Sequence, residues 1–92
     1  MNEQIYIIMR SLTVNGEDYY GSQPSTYALS AEDATELLNK TLGRLREWYS
    51  DLEVLGRGED RLHVRYTNDE TGEETEGSYW VVPIRKFDRF AW

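Results

Sequence analysis

A single segment with helical periodicity, flanked on both sides by strand patterns, is the feature that most restricts the fold of this chain. Ser30 and Asp33 have the spacing of a capping box, so a helix should begin there. Apolar residues then recur every three or four positions over about five turns, ending near Ser50. They are Ala34, Leu37, Leu38, Leu42, Leu45, Trp48 and Tyr49. Because the remaining sequence has strand patterns, this stripe should be buried against a sheet.

The residues before the helix predict a β-hairpin. Residues 4–14 are rich in β-branched and aromatic side chains, and their first half is apolar on both faces, as in a central strand. Asn15-Gly16 favours a type I′ turn, because both central residues of that turn need positive φ. The return strand should run from Glu17 to about Ser22, and Pro24 indicates that this part of the chain is an irregular sheet edge.

The residues after the helix predict a second hairpin. Residues 61–67 alternate between apolar and charged side chains, residues 68–74 read as a polar loop, and residues 75–87 return to a strand pattern. Residues 52–55 fit either a short strand or a loop. The sequence thus predicts one α+β domain, residues 1–92, with one long amphipathic helix on a mostly antiparallel sheet of four or five strands. Its order is β-hairpin, helix, β-hairpin.

The charge and residue content exclude several classes of function. Seventeen acidic and ten basic residues give a net charge of −7, which disfavours direct binding to nucleic acid. The absence of cysteine excludes disulfides, thiolate metal sites and cysteine nucleophiles. No apolar stretch approaches the roughly 20 residues of a membrane span. We expect a cytoplasmic protein with no cofactor, no metal and no membrane partner.

Five carboxylates fall within residues 69–76: Asp69, Glu70, Glu73, Glu74 and Glu76. They do not match the spacing of a helix–loop–helix calcium site. One interpretation is a solvated hairpin tip. The other is a protein-binding hairpin, whose carboxylates replace phosphates and meet arginines or lysines of a partner.

Aromatic residues are numerous for a small core: seven tyrosines, three tryptophans and two phenylalanines. Tyrosines can line the rim of a thin core with their hydroxyls in water, or they can serve as interface anchors together with tryptophan. Tyr19 and Tyr20 in the return strand, and Phe90 and Trp92 near the C-terminus, are the candidate anchors.

His63 lies between Arg61 and Arg65 on the polar side of its predicted strand. It could act as a general base or bind phosphate. Alternatively, the basic residues pair with acids of a neighbouring strand, such as Glu74 or Glu76. No serine or carboxylate can be assigned to His63 from the sequence, so no catalytic triad is predicted and we expect no enzyme.

In its size, acidity, lack of cysteine and helix-on-sheet pattern, the chain resembles small acidic proteins of phages and mobile elements, which include anti-CRISPR proteins and other DNA mimics. The resemblance implies a non-enzymatic inhibitor that occupies a basic nucleic-acid-binding surface of a defence complex. The predicted function is therefore an acidic protein-binding module, as a monomer or homodimer. The alternative is a self-associating structural or accessory subunit.

Overall fold

Residues 4–85 form one helix packed on a five-stranded sheet. The computed structural model describes these residues, apart from the side chains of residues 18–20 and 85. The elements are β1 (Gln4–Val14), β2 (Glu17–Ala28), α1 (Ala31–Trp48), β3 (Glu53–Arg57), β4 (Arg61–Thr67) and β5 (Glu74–Arg85). All pairings are antiparallel, in the order β2-β1-β5-β4-β3. The predicted α+β class is confirmed, with five strands.

The helix begins where its capping residue predicts. The Ser30 hydroxyl accepts a hydrogen bond from the Asp33 N–H at 3.1 Å, which satisfies one of the free donors of the first turn. Glu32 and Asp33 add negative charge at this end, where the helix dipole favours it. At the other end, the Tyr49 N–H donates the last helical hydrogen bond, to the Leu45 carbonyl at 2.9 Å, and the extended backbone of Tyr49 ends the helix.

The core lies between one face of the sheet and the apolar stripe of α1. Leu42 is only 2% exposed, and burial of such a side chain stabilises the fold by about 1.5–3 kcal/mol. The cluster of buried core side chains consists of Ile8, Leu38, Leu42, Leu45, Leu62, Val64 and Tyr66. Because the strand members of this set alternate with polar or partly exposed residues, only one face of the sheet is covered by the helix.

The first hairpin has the expected turn but a longer return strand. Asn15 and Gly16 both have positive φ, 52° and 81°, as a type I′ turn requires. The prediction that β2 ends near Ser22 is wrong, because β2 continues past Pro24 to Ala28. The physical reason is that β2 is an edge strand and its pairing with β1 shifts register at Pro24, so the missing N–H interrupts no regular ladder.

The segment directly after the helix forms strand β3, so the sheet has five strands and not four. β3 pairs with β4 over Glu53 to Arg57, with a register shift between Val54 and Gly56. This strand is short, irregular and at the sheet edge, which is why its pattern is ambiguous in the sequence.

We call the sheet face opposite to the helix the open face, because no described helix lies on it. The register of β1 and β5 places Ile5 beside Ile84, Ile7 beside Val82, and Met9 beside Trp80 on this face. We call these six side chains the apolar strip. Farther toward β4 and β3, the same face carries charged residues.

Candidate protein-binding site

The turns and the helix end bring many carboxylates to one end of the sheet. The β1–β2 turn, the end of β4 and the start of β5 meet there, because Val14 pairs with both Glu17 and Thr75. The C-terminus of α1 reaches the same end, where Trp48 and Tyr49 face the β4–β5 loop. We call this region the acidic end. Its carboxylates are Glu17, Glu47, Asp51, Asp69, Glu70, Glu73 and Glu74.

Backbone hydrogen bonds hold the β4–β5 loop in place without the help of its carboxylates. The Asn68 N–H donates to the Glu73 carbonyl at 2.9 Å, and the Gly72 N–H donates to the Asn68 carbonyl at 2.7 Å. Gly72 has a φ of 73°, a conformation that glycine adopts without steric cost. The Glu70 N–H donates to the Asn68 side chain at 3.0 Å. The loop is therefore ordered by Asn68 and Gly72.

A second asparagine joins this loop to the first hairpin. The Asn15 N–H donates to the Glu74 carbonyl at 2.8 Å, and the Asn15 Oδ1 accepts from the Glu74 N–H at 3.0 Å. These reciprocal bonds fix the two turns against each other. As a result, carboxylates from separate parts of the sequence are held at one end of the molecule.

The five predicted carboxylates of residues 69–76 fall into two groups. Within the described part of the chain, the carboxylates of Asp69, Glu70 and Glu73 take part in no ion pair or hydrogen bond. Glu74 and Glu76 are on strand β5 and turn toward the basic residues of β4 on the open face. The first group is available to a partner, whereas the second group is already engaged.

The ion pairs of the open face follow the strand register. His63 Nε2 lies 2.7 Å from Glu76 Oε1. Arg65 lies between two acids, with its Nη2 3.1 Å from Glu53 Oε2 and its Nε 3.6 Å from Glu74 Oε1. All these side chains are substantially exposed, so each pair stabilises the fold by at most about 1 kcal/mol. The interpretation that His63 and Arg65 pair with acids of a neighbouring strand agrees with this geometry.

An aromatic cleft opens beside the free carboxylates. The rings of Tyr49 and Tyr66 stack with their centroids 4.0 Å apart. They line a cavity of about 300 Å³ together with Leu12, Val14, Asn68, Glu73 and Thr75. A neighbouring cavity of about 300 Å³ is lined by Trp48, Tyr49, Asn68, Asp69 and Glu70. We refer to the two cavities together as the aromatic–acidic cleft.

The cleft combines two chemical properties. Its walls include the rings of Trp48, Tyr49 and Tyr66 beside polar side chains, and Trp48 is 63% exposed although tryptophan is usually well buried. Its rim carries the free carboxylates of Asp69, Glu70 and Glu73. Aromatic faces attract cations, and carboxylates pair with guanidinium or ammonium groups. The arrangement is therefore suited to the side chain of an arginine or a lysine.

Asp51 has a structural role at this end. Both of its carboxylate oxygens accept from the Thr67 N–H, at 3.2 and 3.1 Å. Hydrogen bonds from the side chain and then from the backbone of Thr67 lower the pKa of Asp51. The bonds tie the segment after α1 to the end of β4, so Asp51 positions the wall of the cleft.

Four aromatic residues, two in the return strand and two near the C-terminus, were predicted as interface anchors. The backbone of Tyr19 and Tyr20 forms part of β2, and their side chains are outside the described set. Phe90 and Trp92 lie outside the described residues.

Trp48 was predicted as a core residue, but it is largely exposed because it lies on the flank of the stripe formed by Leu38, Leu42 and Leu45. The exposed tryptophan beside an acidic loop is the site residue that periodicity alone missed.

Comparison of the chain with protein-family models, with curated proteins and with solved structures found no match. No helix in residues 4–85 combines the length and apolarity needed to cross a bilayer. Across the same residues, no group of three or more His, Asp or Glu side chains is arranged to hold a metal ion.

Proposed function

We propose that this protein is a non-enzymatic binding module whose acidic end occupies a basic surface of a protein partner. The observation that carries the proposal is the position of Asp69, Glu70 and Glu73: three carboxylates with no ion pair in the described part of the chain, at the rim of an aromatic cleft. Carboxylates serving only solubility need no such cleft beside them.

Electrostatics at this end favour a cationic partner. The C-terminus of a helix carries a partial negative charge, and α1 ends near the carboxylates of the acidic end, with Arg46 and Glu47 both in its last turn. Net charge of −7 adds a long-range attraction for basic surfaces. Complementary charge accelerates association, and desolvated aromatic contacts then slow dissociation.

The kind of partner follows from the same chemistry. A surface patch rich in arginine and lysine is the electrostatic footprint of a protein that binds the phosphates of nucleic acid. Inhibition by occupying such a surface, as in the anti-CRISPR proteins that the sequence resembles, is therefore the proposed biological role. Trp48 and Tyr49 would cover the alkyl part of a basic side chain, while Asp69 and Glu70 pair with its charge.

The test is capture of partners from host lysate on three immobilised proteins. The first is the wild type, the second the acidic-end variant Asp69→Asn/Glu70→Gln/Glu73→Gln. The third is a control variant with the same net charge as the second, Glu36→Gln/Glu59→Gln/Asp60→Asn, whose changes lie in the first half of α1 and in the β3–β4 turn, away from the acidic end. Of these three, Glu36 has an exposed ion pair with Lys40, which contributes little to stability. Glu74 and Glu76 are left unchanged because they pair with Arg65 and His63.

We expect the wild type and the control variant to retain the same basic protein at low salt, and the acidic-end variant to lose it. Added nucleic acid should compete with the immobilised protein for the captured partner, and raised salt should release that partner. Equal retention by both variants would contradict the proposal. Replacing Trp48 by alanine should weaken binding at any salt concentration, because the cleft then loses an apolar wall.

Self-association is the second candidate, and the long edge strand β2 favours it. Residues 21–27 are exposed, and an outer strand offers unpaired backbone groups to a second copy. Analytical ultracentrifugation distinguishes the two functions. A dimer at low micromolar concentration would support self-association, and a monomer at high concentration would exclude it.

A further inference from the structure

The aromatic–acidic cleft has carboxylates without a cation, whereas the neighbouring cavity has both. Among the described residues that line the cleft, three are acidic and none is a lysine or an arginine. A third cavity, of about 380 Å³, shares Tyr66 with the cleft, and in it Arg65 lies between the carboxylates of Glu53 and Glu74. One cavity thus contains a guanidinium of the chain itself, and the cleft offers acceptors to a cation from outside.

We propose that the aromatic–acidic cleft recognises an arginine side chain of the partner and discriminates against lysine. This inference rests on the proposed function, because it identifies the basic side chain that the acidic end binds. Arginine and lysine carry the same charge, so the net charge of the protein attracts both equally. Discrimination between them has to come from the shape and the acceptors of the cleft.

The aromatic rings of the cleft favour a planar cation. Tyr66 is only 8% exposed and stacks on one face of Tyr49, with a centroid distance of 4.0 Å. Tyr49 also lines the second cavity, together with the exposed ring of Trp48. A guanidinium is planar and weakly hydrated, so it stacks on an aromatic ring at a small desolvation cost. A lysine ammonium is compact and strongly hydrated, and it has no plane to stack.

The carboxylates favour a cation with several separated donors. Glu73 lines one cavity of the cleft, whereas Asp69 and Glu70 line the other. A guanidinium has five N–H donors in one plane, so it can pair with carboxylates on two sides at once. Arg65 pairs in this way in the neighbouring cavity, where its Nη2 and Nε lie 3.1 and 3.6 Å from two different carboxylates. An ammonium presents its donors from a single nitrogen and spans two separated carboxylates less well.

The acceptors of the cleft are in place before a partner binds. The backbone hydrogen bonds of Asn68 and Gly72 order the β4–β5 loop that carries them. Within the described part of the chain, the carboxylates of this loop form no ion pair that would have to break first. Such preorganisation reduces the entropy lost on binding, so the better contacts of arginine should appear as higher affinity.

The test is a pair of NMR titrations of the full chain with acetyl-Gly-Arg-Gly-amide and acetyl-Gly-Lys-Gly-amide, two peptides of equal charge. The signals followed are the backbone N–H groups of residues 68–73 and the indole N–H of Trp48. We expect the arginine peptide to bind at least about three-fold more tightly, because of its stacking and its paired hydrogen bonds. This preference should persist when added salt weakens both peptides, because salt screens the charge that they share.

Two variants separate the contribution of stacking from that of charge. Trp48→Leu keeps an apolar side chain and removes the aromatic face, and the fold should be retained because Trp48 is 63% exposed. In this variant the preference for arginine should fall, while the affinity for the lysine peptide changes little. The acidic-end variant should lose both peptides, whereas the control variant described above should keep the preference of the wild type.

Three results would overturn the proposal: equal affinity for the two peptides, shifts confined to residues outside the cleft, or no shift with either peptide at high millimolar concentration. Failure of the proposed function has a different signature, namely equal retention of a lysate protein by the wild type and the acidic-end variant. A basic partner captured through the acidic end, together with equal affinity for the two peptides, would retain the proposed function and reject selectivity for arginine.

Discussion

Carboxylates that serve partner binding and form no ion pair within the fold should lower the free energy of unfolding of the free protein. The acidic end allows this cost to be measured. We predict that Asp69→Asn/Glu70→Gln/Glu73→Gln is more stable than the wild type at low ionic strength. The substitutions remove no ion pair among the described residues, and they reduce the net charge from −7 to −4.

The magnitude follows from the position of the three carboxylates beside the helix C-terminus. A negative charge near this end of a helix costs about 0.3–1 kcal/mol, and each close pair of like charges about 0.2–0.5 kcal/mol. Partial exposure reduces these costs, so we expect a total gain of about 1 kcal/mol. In a domain of this size, that corresponds to an increase of about 4–8 °C in Tm.

The assay is thermal unfolding followed by circular dichroism, at about 10 mM and about 1 M NaCl. The Debye length falls from about 30 Å to about 3 Å between these conditions, so the gain in Tm should be present at low salt and nearly absent at high salt. The control is Glu32→Gln. Glu32 lies in the first turn of α1, where negative charge is favourable, so its neutralisation should lower Tm.

A lower Tm of the triple variant at low salt would refute the reasoning. It would mean that Asp69, Glu70 and Glu73 hold the β4–β5 loop in place, and their freedom from ion pairs would then be no sign of a binding function. A gain that persists unchanged in 1 M NaCl would also contradict an electrostatic cause.

Three further predictions concern the parts of the fold that position the site. Leu42→Ala should destabilise the protein by about 3 kcal/mol in urea unfolding, whereas Leu29→Ala, at a residue that is 72% exposed, should change stability by less than about 0.5 kcal/mol; similar effects would contradict the assigned core. Because the pKa of Asp51 is lowered in the folded state, its contribution to stability is present above the ordinary pKa of aspartate and is lost as pH falls below about 4. The stability deficit of Asp51→Ala should therefore shrink between pH 7 and pH 2, and a constant deficit would exclude the bonds to Thr67 as its cause. Gly72→Ala should cost about 1 kcal/mol because of its positive φ, and an unchanged unfolding midpoint would show that the loop can adopt another turn.

Local signals in the sequence predicted the elements whose formation depends on local chemistry. Ser30 and Asp33 marked the helix start, and Asn15-Gly16 marked the first turn, because capping and positive φ are properties of a few adjacent residues. The extent of β2 could not be predicted in this way. It depends on pairing with β1 across a register shift, which is a tertiary property that overrides the breaking tendency of Pro24.

Side-chain roles that depend on distant contacts were the hardest to predict. Gly43 lies inside the helix but is exposed, and a Cβ built on it would have no atom of another element within 4 Å. A close approach occurs at Gly77, where an added Cβ would lie 3.4 Å from the Tyr79 ring and 3.2 Å from Leu12. Tyr79 follows Gly77 by two residues on the same face of β5, whereas Leu12 reaches Gly77 only because β5 pairs with β1, which the local sequence does not specify.

The acidic end and the apolar strip lie toward opposite ends of β5, and this separation predicts that changes in one leave the other unaffected. Glu74 begins the strand at the acidic end, while Ile84 ends the apolar strip near the last described residue. Charge changes at the acidic end are separated from the strip by more than a Debye length at physiological salt, about 8 Å. Neutralising Asp69, Glu70 and Glu73 should therefore leave binding of a hydrophobic dye to the open face unchanged, and Val82→Asp in the apolar strip should leave salt-dependent partner binding intact. If either variant changed both properties, the open face and the acidic end would have to be treated as one binding surface.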